Sequence, residues 1–592
     1  VDRAVWWGRR TLGAHDPAER HVTVLRQLVG VPTVPANDKL WDEAPPFAAF
    51  RVVIGMNLFR RSLLQGATSL IGLAGGSQLA VGQTRAETLR YVTGNNVNTL
   101  DPTVFGSTRE AFGVSMQVYD RLFAFGRKKL GDNWVFDPAV IRGELAQGYQ
   151  MSPDGLKITI TLRPDAVWHD GSPVTAEDIK WSLDRAVSAK SLAPPQMSTG
   201  SLTSPDQFRI VDPHTIEVTL EKADRLALAN LCVCYVIMIN SKVAKQHATA
   251  DDPWALEWLK SNTAASGAYT VESFKPGENV ILRRNDKWKG GENGKLPYFQ
   301  RVIVQTVPEP ATRANLIEKG DADLSIDLAA SDIPTMEKST KAKVVSVPQT
   351  NGFTHISMNT QVAPFDNVKV RQAVAAALPY DDMFKAALFD RGRKLYGAGW
   401  SGLPPDSSFP QPMPLKTDPA RAKQLLAEAG FPEGFKTSFA FSAGQAATAE
   451  PVAALLKEAL GKVGIQVDIQ KKPDAEFNTA ESQKTLPFFT DAATAWLPAT
   501  YYFFYLYFTR DQRWNFASWK SPEIEQLSAS ARFALDPAAY EADCKKMIEV
   551  FAGAVPLVML WQPNHDAVMA KNVGGYTYQF YRQADFRDLE RI

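Results

Sequence analysis

The chain has 592 residues, of which 45% are hydrophobic and 22% charged. Single hydrophobic cores stop growing at about 250 to 300 residues, so two or three lobes are expected. The composition is that of a soluble globular protein, and a formal charge of +1 argues against a nucleic acid or an anionic lipid surface as partner.

The first 86 residues do not read as fold. Met56-Asn57-Leu58-Phe59-Arg60-Arg61, followed by the apolar stretch from Ser62 to Ala80, has the charged head and short hydrophobic run of a secretory signal. Ala80-Val81-Gly82 supplies small residues for a signal peptidase, so residues 56–82 are expected to be a signal peptide cleaved near Gln83. Arg60-Arg61-Ser62-Leu63-Leu64-Gln65 is similar to a twin-arginine signal, although Phe59 stands where Ser or Thr is usual. The Sec and twin-arginine routes both stay open. Residues 1–55, a polar leader rich in Trp and Arg, read as an upstream extension of the reading frame, with a disordered pro-segment as the alternative. Beyond Gln83 no run reaches the ~18 apolar residues of a membrane span. No Cys follows the hydrophobic run to carry a lipid, and the mature product is expected free in the periplasm.

Further along, His169-Asp170-Gly171 reads as a turn, with Asp-Gly supplying its geometry. Thr175 and Asp178 make a capping-box start, and Ile179, Leu183, Ala186 and Val187 then recur at helical spacing. Cys232 and Cys234 alternate with Val233 in an apolar stretch; as strand residues they would share one face and be too close to bridge. Together with Cys544, in a predicted helix, they read as buried small apolar residues. The Pro-rich segment from Leu403 to Pro414 reads as an ordered loop. Asp418-Pro419 opens a helix carrying Leu425, Leu426 and Ala429 and stopped by Gly430. Val452, Leu455, Leu456, Ala459, Leu460 and Val463 form another stripe ended by Gly464, after which Ile465, Val467 and Ile469 alternate as in a half-buried strand. A last long helix is expected between Asp536-Pro537 and Gly553, followed by the apolar run from Val555 to Trp561. Helix feeding strand predicts an α/β protein.

Catalytic chemistry finds few parts. The chain contains no Gly-x-Ser-x-Gly elbow, no His-Glu-x-x-His and no dinucleotide Gly-x-Gly-x-x-Gly. Gly294-Lys295 lacks the upstream Gly and the following Ser or Thr of a phosphate loop. No Cys or His pair has ligand spacing, so no metal and no cofactor are expected.

What the chain does carry is a succession of short strings. Asn98-Thr99-Leu100-Asp101-Pro102 is followed by Val118-Tyr119-Asp120-Arg121-Leu122, then Ser152-Pro153-Asp154-Gly155-Leu156 and the run from Leu162-Arg163-Pro164 to Thr175-Ala176-Glu177-Asp178. Later come Ser266-Gly267-Ala268-Tyr269, Lys275-Pro276-Gly277-Glu278, Met358-Asn359-Thr360, Pro364-Phe365-Asp366 and Val370-Arg371-Gln372-Ala373. Each is weak alone. Their collinear order, over residues 87 to about 575, resembles the dipeptide- and oligopeptide-binding (peptide/nickel/opine) family of periplasmic solute-binding proteins, the receptors of ABC importers.

The resemblance implies an α/β, two-lobed, hinged periplasmic-binding-protein fold with an additional inserted domain. Mapped by motif, lobe I takes residues 87–130, 263–356 and 556–592, the accessory domain 131–262, and lobe II 357–555. It also implies that the chain is no enzyme, that it binds a small peptide or peptide-like ligand as a monomer, and that its partners are the permease and ATPase subunits of an importer. An opine, a glycoside or another polar solute is the alternative ligand. A secreted hydrolase and a chaperone-like envelope protein are the readings from other classes. The candidate ligand-binding residues carried over are Trp496 and Trp400, whose indoles can stack on a ligand or fill a core. Tyr501 and Tyr502 join them from the aromatic run ending at Phe508. Relatives that bind free peptides place an Asp three residues after the first Trp, as counter-charge for the peptide ammonium. Here that position is Ala499, and Asp491 is the acid that would have to substitute.

Overall fold

A computed structural model describes residues 84–291, 294–509 and 513–592. The leader, the signal and the cleavage position near Gln83 lie outside the described residues.

One strand ties the architecture together. Leu557–Ala570 is 14 residues long and buried almost throughout, as its near-continuous apolar sequence dictates. Its first part pairs antiparallel with Gly352–Met358, Leu557 opposite Ser357 and Trp561 opposite Thr354. Its second part pairs antiparallel with Ala342–Pro348, from Asn564 opposite Pro348 to Ala570 opposite Ala342. Only Gln349, Thr350 and Asn351 separate these two partner strands, so the chain passes between two sheets at two adjacent places.

In the first sheet Thr88–Thr93 lies parallel to Arg301–Thr306 and Leu324–Ser325, and Asn279–Arg284 and Tyr269–Lys275 continue it antiparallel. In the second, Phe488–Thr494 runs antiparallel to Gly352–Met358 and parallel to Lys436–Ser442, which is parallel to Gln466–Lys472. The helices Val368–Ala377, Tyr380–Leu388, Pro419–Glu428 and Ala446–Gly461 cover this second sheet with a core of their own. A separate antiparallel sheet, Ala146–Met151, Lys157–Leu162, Thr215–Thr219 and Phe208–Asp212 in spatial order, packs on the helix Ala176–Ser188. A hairpin, Phe123–Leu130 with Asn133–Gly143, takes Thr577–Tyr578 as its third strand.

Local chemistry explains these elements. The capping box at Thr175 forms: Asp178 accepts from the Thr175 backbone N–H at 3.2 Å, and its other oxygen accepts from the Ser241 backbone and hydroxyl at 3.0 and 2.6 Å. The helices Pro419–Glu428 and Pro537–Ala554 start at the expected Asp caps, each with Pro at the first helical position. The helix ending at Gly461 stops two residues before the expected Val463, and Gly464 at φ +92° turns the chain into the following strand. Gly171 at φ +89° makes the expected turn, its N–H donating to the Trp168 carbonyl at 2.8 Å. In the Pro-rich loop Phe409 is buried among Phe353, Phe503, Phe504, Phe508 and Phe551.

The expected cysteine strand is a correction. Cys232 and Cys234 lie in successive turns after the short helix Ala227–Asn230, with Cys232 N–H donating to Ala229 O at 3.1 Å and Val233 N–H to Asn230 O at 3.2 Å. A run that is buried on every side loses the polar alternation that would tell strand from turn. Both thiols are free, and burial pushes their pKa up to about 12, so they are inert apolar groups as expected. Among the described residues no helix is long and apolar enough to cross a membrane.

Candidate functional site

Trp496 leaves the strand Phe488–Thr494 just before the helix Thr500–Phe508. Its half-buried indole stands edge-on to Tyr235 at 4.7 Å and Phe112 at 5.1 Å between ring centroids, and tilted to Tyr581 at 5.4 Å. Phe112 and Tyr235 also meet each other, at 5.0 Å. Edge contacts of this kind are favourable beyond the area they bury. Four chain segments, each far from the others in sequence, converge on one aromatic cluster.

A charged corner adjoins it. Phe112 lies on the helix Arg109–Val118, one turn from Arg109, whose guanidinium pairs with Asp327 and, at 2.9 Å, with Glu110. Asp327 also accepts from Thr93 Oγ1 at 2.9 Å and from the Gly94 N–H at 3.3 Å. Burial alone would raise the Asp327 pKa, but Arg109 outweighs it and holds the carboxylate below its ordinary value. Arg582, next to Tyr581, donates from Nη1 to Gln349 Oε1 at 3.1 Å. Burial, and then the like charge of Arg109, lower its pKa to about 10. A small cavity of about 10 Å³, room for one water-sized group, is lined by Tyr91, Arg109, Glu110, Arg582, Gln583 and Phe586 among others. His565, on the long strand, is kept neutral by burial with its pKa near 3, and its Nε2 lies 2.6 Å from Tyr576 Oη.

The residues expected at the site are dispersed. Trp400 donates its indole N–H to the Pro412 carbonyl at 3.2 Å within the Pro-rich loop. Ala499 is the half-buried N-cap of the helix Thr500–Phe508, its carbonyl accepting from the Tyr502 and Phe503 N–H groups at 3.1 and 3.3 Å. Tyr501 and Tyr502 are each 1% exposed. The Tyr501 hydroxyl reaches Thr199 O and Asp224 Oδ1, both at 3.4 Å, and the Tyr502 hydroxyl donates to Gln196 Oε1 at 2.9 Å. Asp491 accepts from Gln445 Nε2 at 2.6 Å and stands opposite His355 across the strand pair. Burial and then Asp491 raise the pKa of Glu481 to about 9, so these two carboxyls share a site of their own. Phe112, Tyr235, Tyr581, Arg109, Arg582 and Gln583 were not legible as site residues, because no spacing in the sequence links them. Among the described residues no group of three or more His, Cys, Asp or Glu is arranged to hold a metal.

Solved structures show the class of fold. The dipeptide-binding protein of Pseudoalteromonas sp. SM9913 in complex with Met-Leu matches with a TM-score of 0.71 at 21% identity, over 85% of this chain and all of that one (100%). The periplasmic binding protein AgaA of A. tumefaciens R10 in complex with agropinic acid matches with a TM-score of 0.69 at 22% identity, over 85% and 99%. The α/β, two-lobed periplasmic-binding-protein fold implied by the motif order is therefore the fold of this chain. The model of the bacterial extracellular solute-binding proteins, family 5, matches residues 140–515, more than half of the chain. The protein belongs to that family, and its role is that of the periplasmic solute-binding component of an ABC transporter. Among relatives, the "Probable D,D-dipeptide-binding periplasmic protein DdpA" of Escherichia coli K12 is 27% identical over 490 residues, 81% of this chain and 89% of its own. Heme-binding protein A of Haemophilus influenzae is 30% identical over 348 residues, 55% of this chain and 58% of its own.

Proposed function

We propose that this protein binds a peptide or peptide-like solute beside Trp496 and, as a monomer, presents it to the permease and ATPase of an importer without altering it chemically. The domain division expected from the motifs, lobe I as 87–130, 263–356 and 556–592, accessory domain as 131–262 and lobe II as 357–555, belongs to this proposal. So does export by the signal-like residues 56–82. The observation that carries the reading is the aromatic cluster. Trp496 falls in the proposed lobe II, and its three ring partners fall in lobe I and the accessory domain. A ligand held there touches both sides of the hinge and stabilises closure through its differential affinity for the closed form.

The test is a ligand panel read by thermal unfolding. A solute that binds the folded protein alone stabilises it by RT ln(1 + [L]/Kd), about 2.7 kcal/mol at a hundredfold excess over Kd. Dipeptides, glutathione, opines and heme, the ligands of the relatives and of the structural neighbours, make up the panel. A melting point unmoved by every member argues against the reading, and turnover of a bound solute by pure protein argues for the hydrolase.

Ala499 favours a ligand without a free α-ammonium at the lobe II position, an N-blocked peptide or an opine. Ala499→Asp is expected to improve affinity for free dipeptides over their N-acetylated forms. Because position 499 is a helix N-cap, the new carboxylate also has the Tyr501 and Tyr502 N–H groups within its reach and should add about 0.5 to 2 kcal/mol of stability. Calorimetric titration of both peptide forms separates the effects: equal gains for both mean that the carboxylate caps the helix and does not meet the ammonium.

A further inference from the structure

Gln583 is 2% exposed, and neither its amide nitrogen nor its amide oxygen has a hydrogen-bond partner. Buried side-chain amides are almost always satisfied, so such a group marks a site where a partner is to arrive. Its neighbour Arg582 adopts φ +59°, a left-handed conformation sparsely used by residues other than glycine. This turns the guanidinium toward the same cavity, where Nε is buried and unpartnered while Nη1 is held by the neutral amide of Gln349. Across the cavity Glu110 gives Oε1 to Arg109 and leaves Oε2 buried without a partner.

The charges do not close on themselves. Arg109 is matched by Asp327 and Glu110, and Arg313 is spent on the backbone carbonyls of Val307, Pro308 and Asp327. Arg582 has no carboxylate hydrogen-bonded to it among the described residues. A buried guanidinium facing only amides is a standing demand for an anion, and a carboxylate satisfies the planar guanidinium geometry best.

We propose that Arg582 and Gln583 form the subsite that receives a carboxylate of the transported solute, with Arg582 Nε and Gln583 Nε2 donating to its oxygens. Glu110 Oε2 and Gln583 Oε1 are then the acceptors for an N–H group beside that carboxylate. The corner thus complements an amino-acid-like terminus. This rests on the reading that the solute sits by Trp496, since Tyr581, which contacts Trp496, immediately precedes Arg582. It moves the charged recognition to lobe I, opposite the position where Ala499 replaces an acid.

The experiment is isothermal titration of the whole mature protein with two acid and neutral pairs: Met-Leu with its C-terminal amide, and agropinic acid with its methyl ester. At least one acid is expected to bind about tenfold or more tighter than its neutral form, the loss of one or two charge-assisted hydrogen bonds. Arg582→Gln and, independently, Gln583→Leu should shrink that ratio to about threefold or less. The acid-to-neutral ratio in the unmutated protein needs no variant and so decides the matter even if Arg582→Gln does not fold. Equal binding of acid and neutral forms overturns the subsite and leaves the cavity to a water, with the peptide reading intact. A ratio that both variants preserve also overturns it. Acid-selective binding of agropinic acid without binding of Met-Leu upholds the subsite and counts against a peptide ligand. Binding of neither acid overturns both.

Discussion

Glu144→Gln is expected to destabilise the protein by about 3 to 5 kcal/mol at neutral pH, the cost of leaving buried cations without their partner. Glu144 accepts from Arg121 Nη2 at 2.8 Å and Nε at 3.1 Å, from the Arg121 backbone N–H at 2.9 Å, and from Arg587 Nη1 at 2.9 Å. The side chains of Arg121, Glu144 and Arg587 are 5%, 1% and 7% exposed, so solvent screens little of this. Burial by itself would raise the Glu144 pKa, but Arg121 and Arg587 outweigh it and hold the carboxyl well below the ordinary glutamate value. The unfolded chain therefore takes up this proton at a higher pH than the folded one. The stabilisation is complete above about pH 4.3, the unfolded value, and is lost as pH falls toward the folded pKa. Asp120, whose pKa burial and then Glu144 raise, titrates in the opposite sense, so the difference between variant and parent is the quantity to read. Urea unfolding at pH 7 and pH 3.5 checks it: the gap should be large at pH 7 and smaller at pH 3.5. A gap independent of pH would mean that the Glu144 charge is not what holds these arginines.

Trp496→Ala should weaken solute binding by about 1.5 to 3 kcal/mol, the value of burying a large apolar side chain, which is about 10- to 150-fold in Kd. The indole is half-buried in the ligand-free fold, with three rings at 4.7 to 5.4 Å, and its remaining surface is what a bound solute would cover. For the same reason the ligand-free variant should lose less than the about 3 to 5 kcal/mol of a fully buried aromatic. Trp496→Phe should recover most of the affinity. Calorimetry on the solute found in the panel, with melting of the ligand-free variant, separates the outcomes. A stability loss in the full core range with unchanged affinity would place Trp496 in the interlobe packing and not in the ligand wall.

The residues that define element ends act within one turn of themselves, which is why they could be read. Thr175 with Asp178, Asp418-Pro419, Asp536-Pro537 and Gly464 each satisfy or redirect backbone groups only a few positions away, and the structure shows each in that role. The run from Tyr501 to Phe508 and the pair Cys232 and Cys234 defeat that reading. They are buried or nearly so, and a segment surrounded by protein carries no polar alternation to report its geometry.

The family and its two-lobed fold were determined by the sequence itself, because the order of short motifs survives even where each is weak. The composition of the site was decided by the tertiary structure. Arg587 meets Glu144 across 443 positions, and Trp496 meets Phe112, Tyr235 and Tyr581 from three distant segments. Such partners share no local backbone constraint. They are brought together because the strand Leu557–Ala570 joins two sheets and returns the C-terminal segment to the helix Arg109–Val118, where desolvation makes every charge find a partner or wait for one.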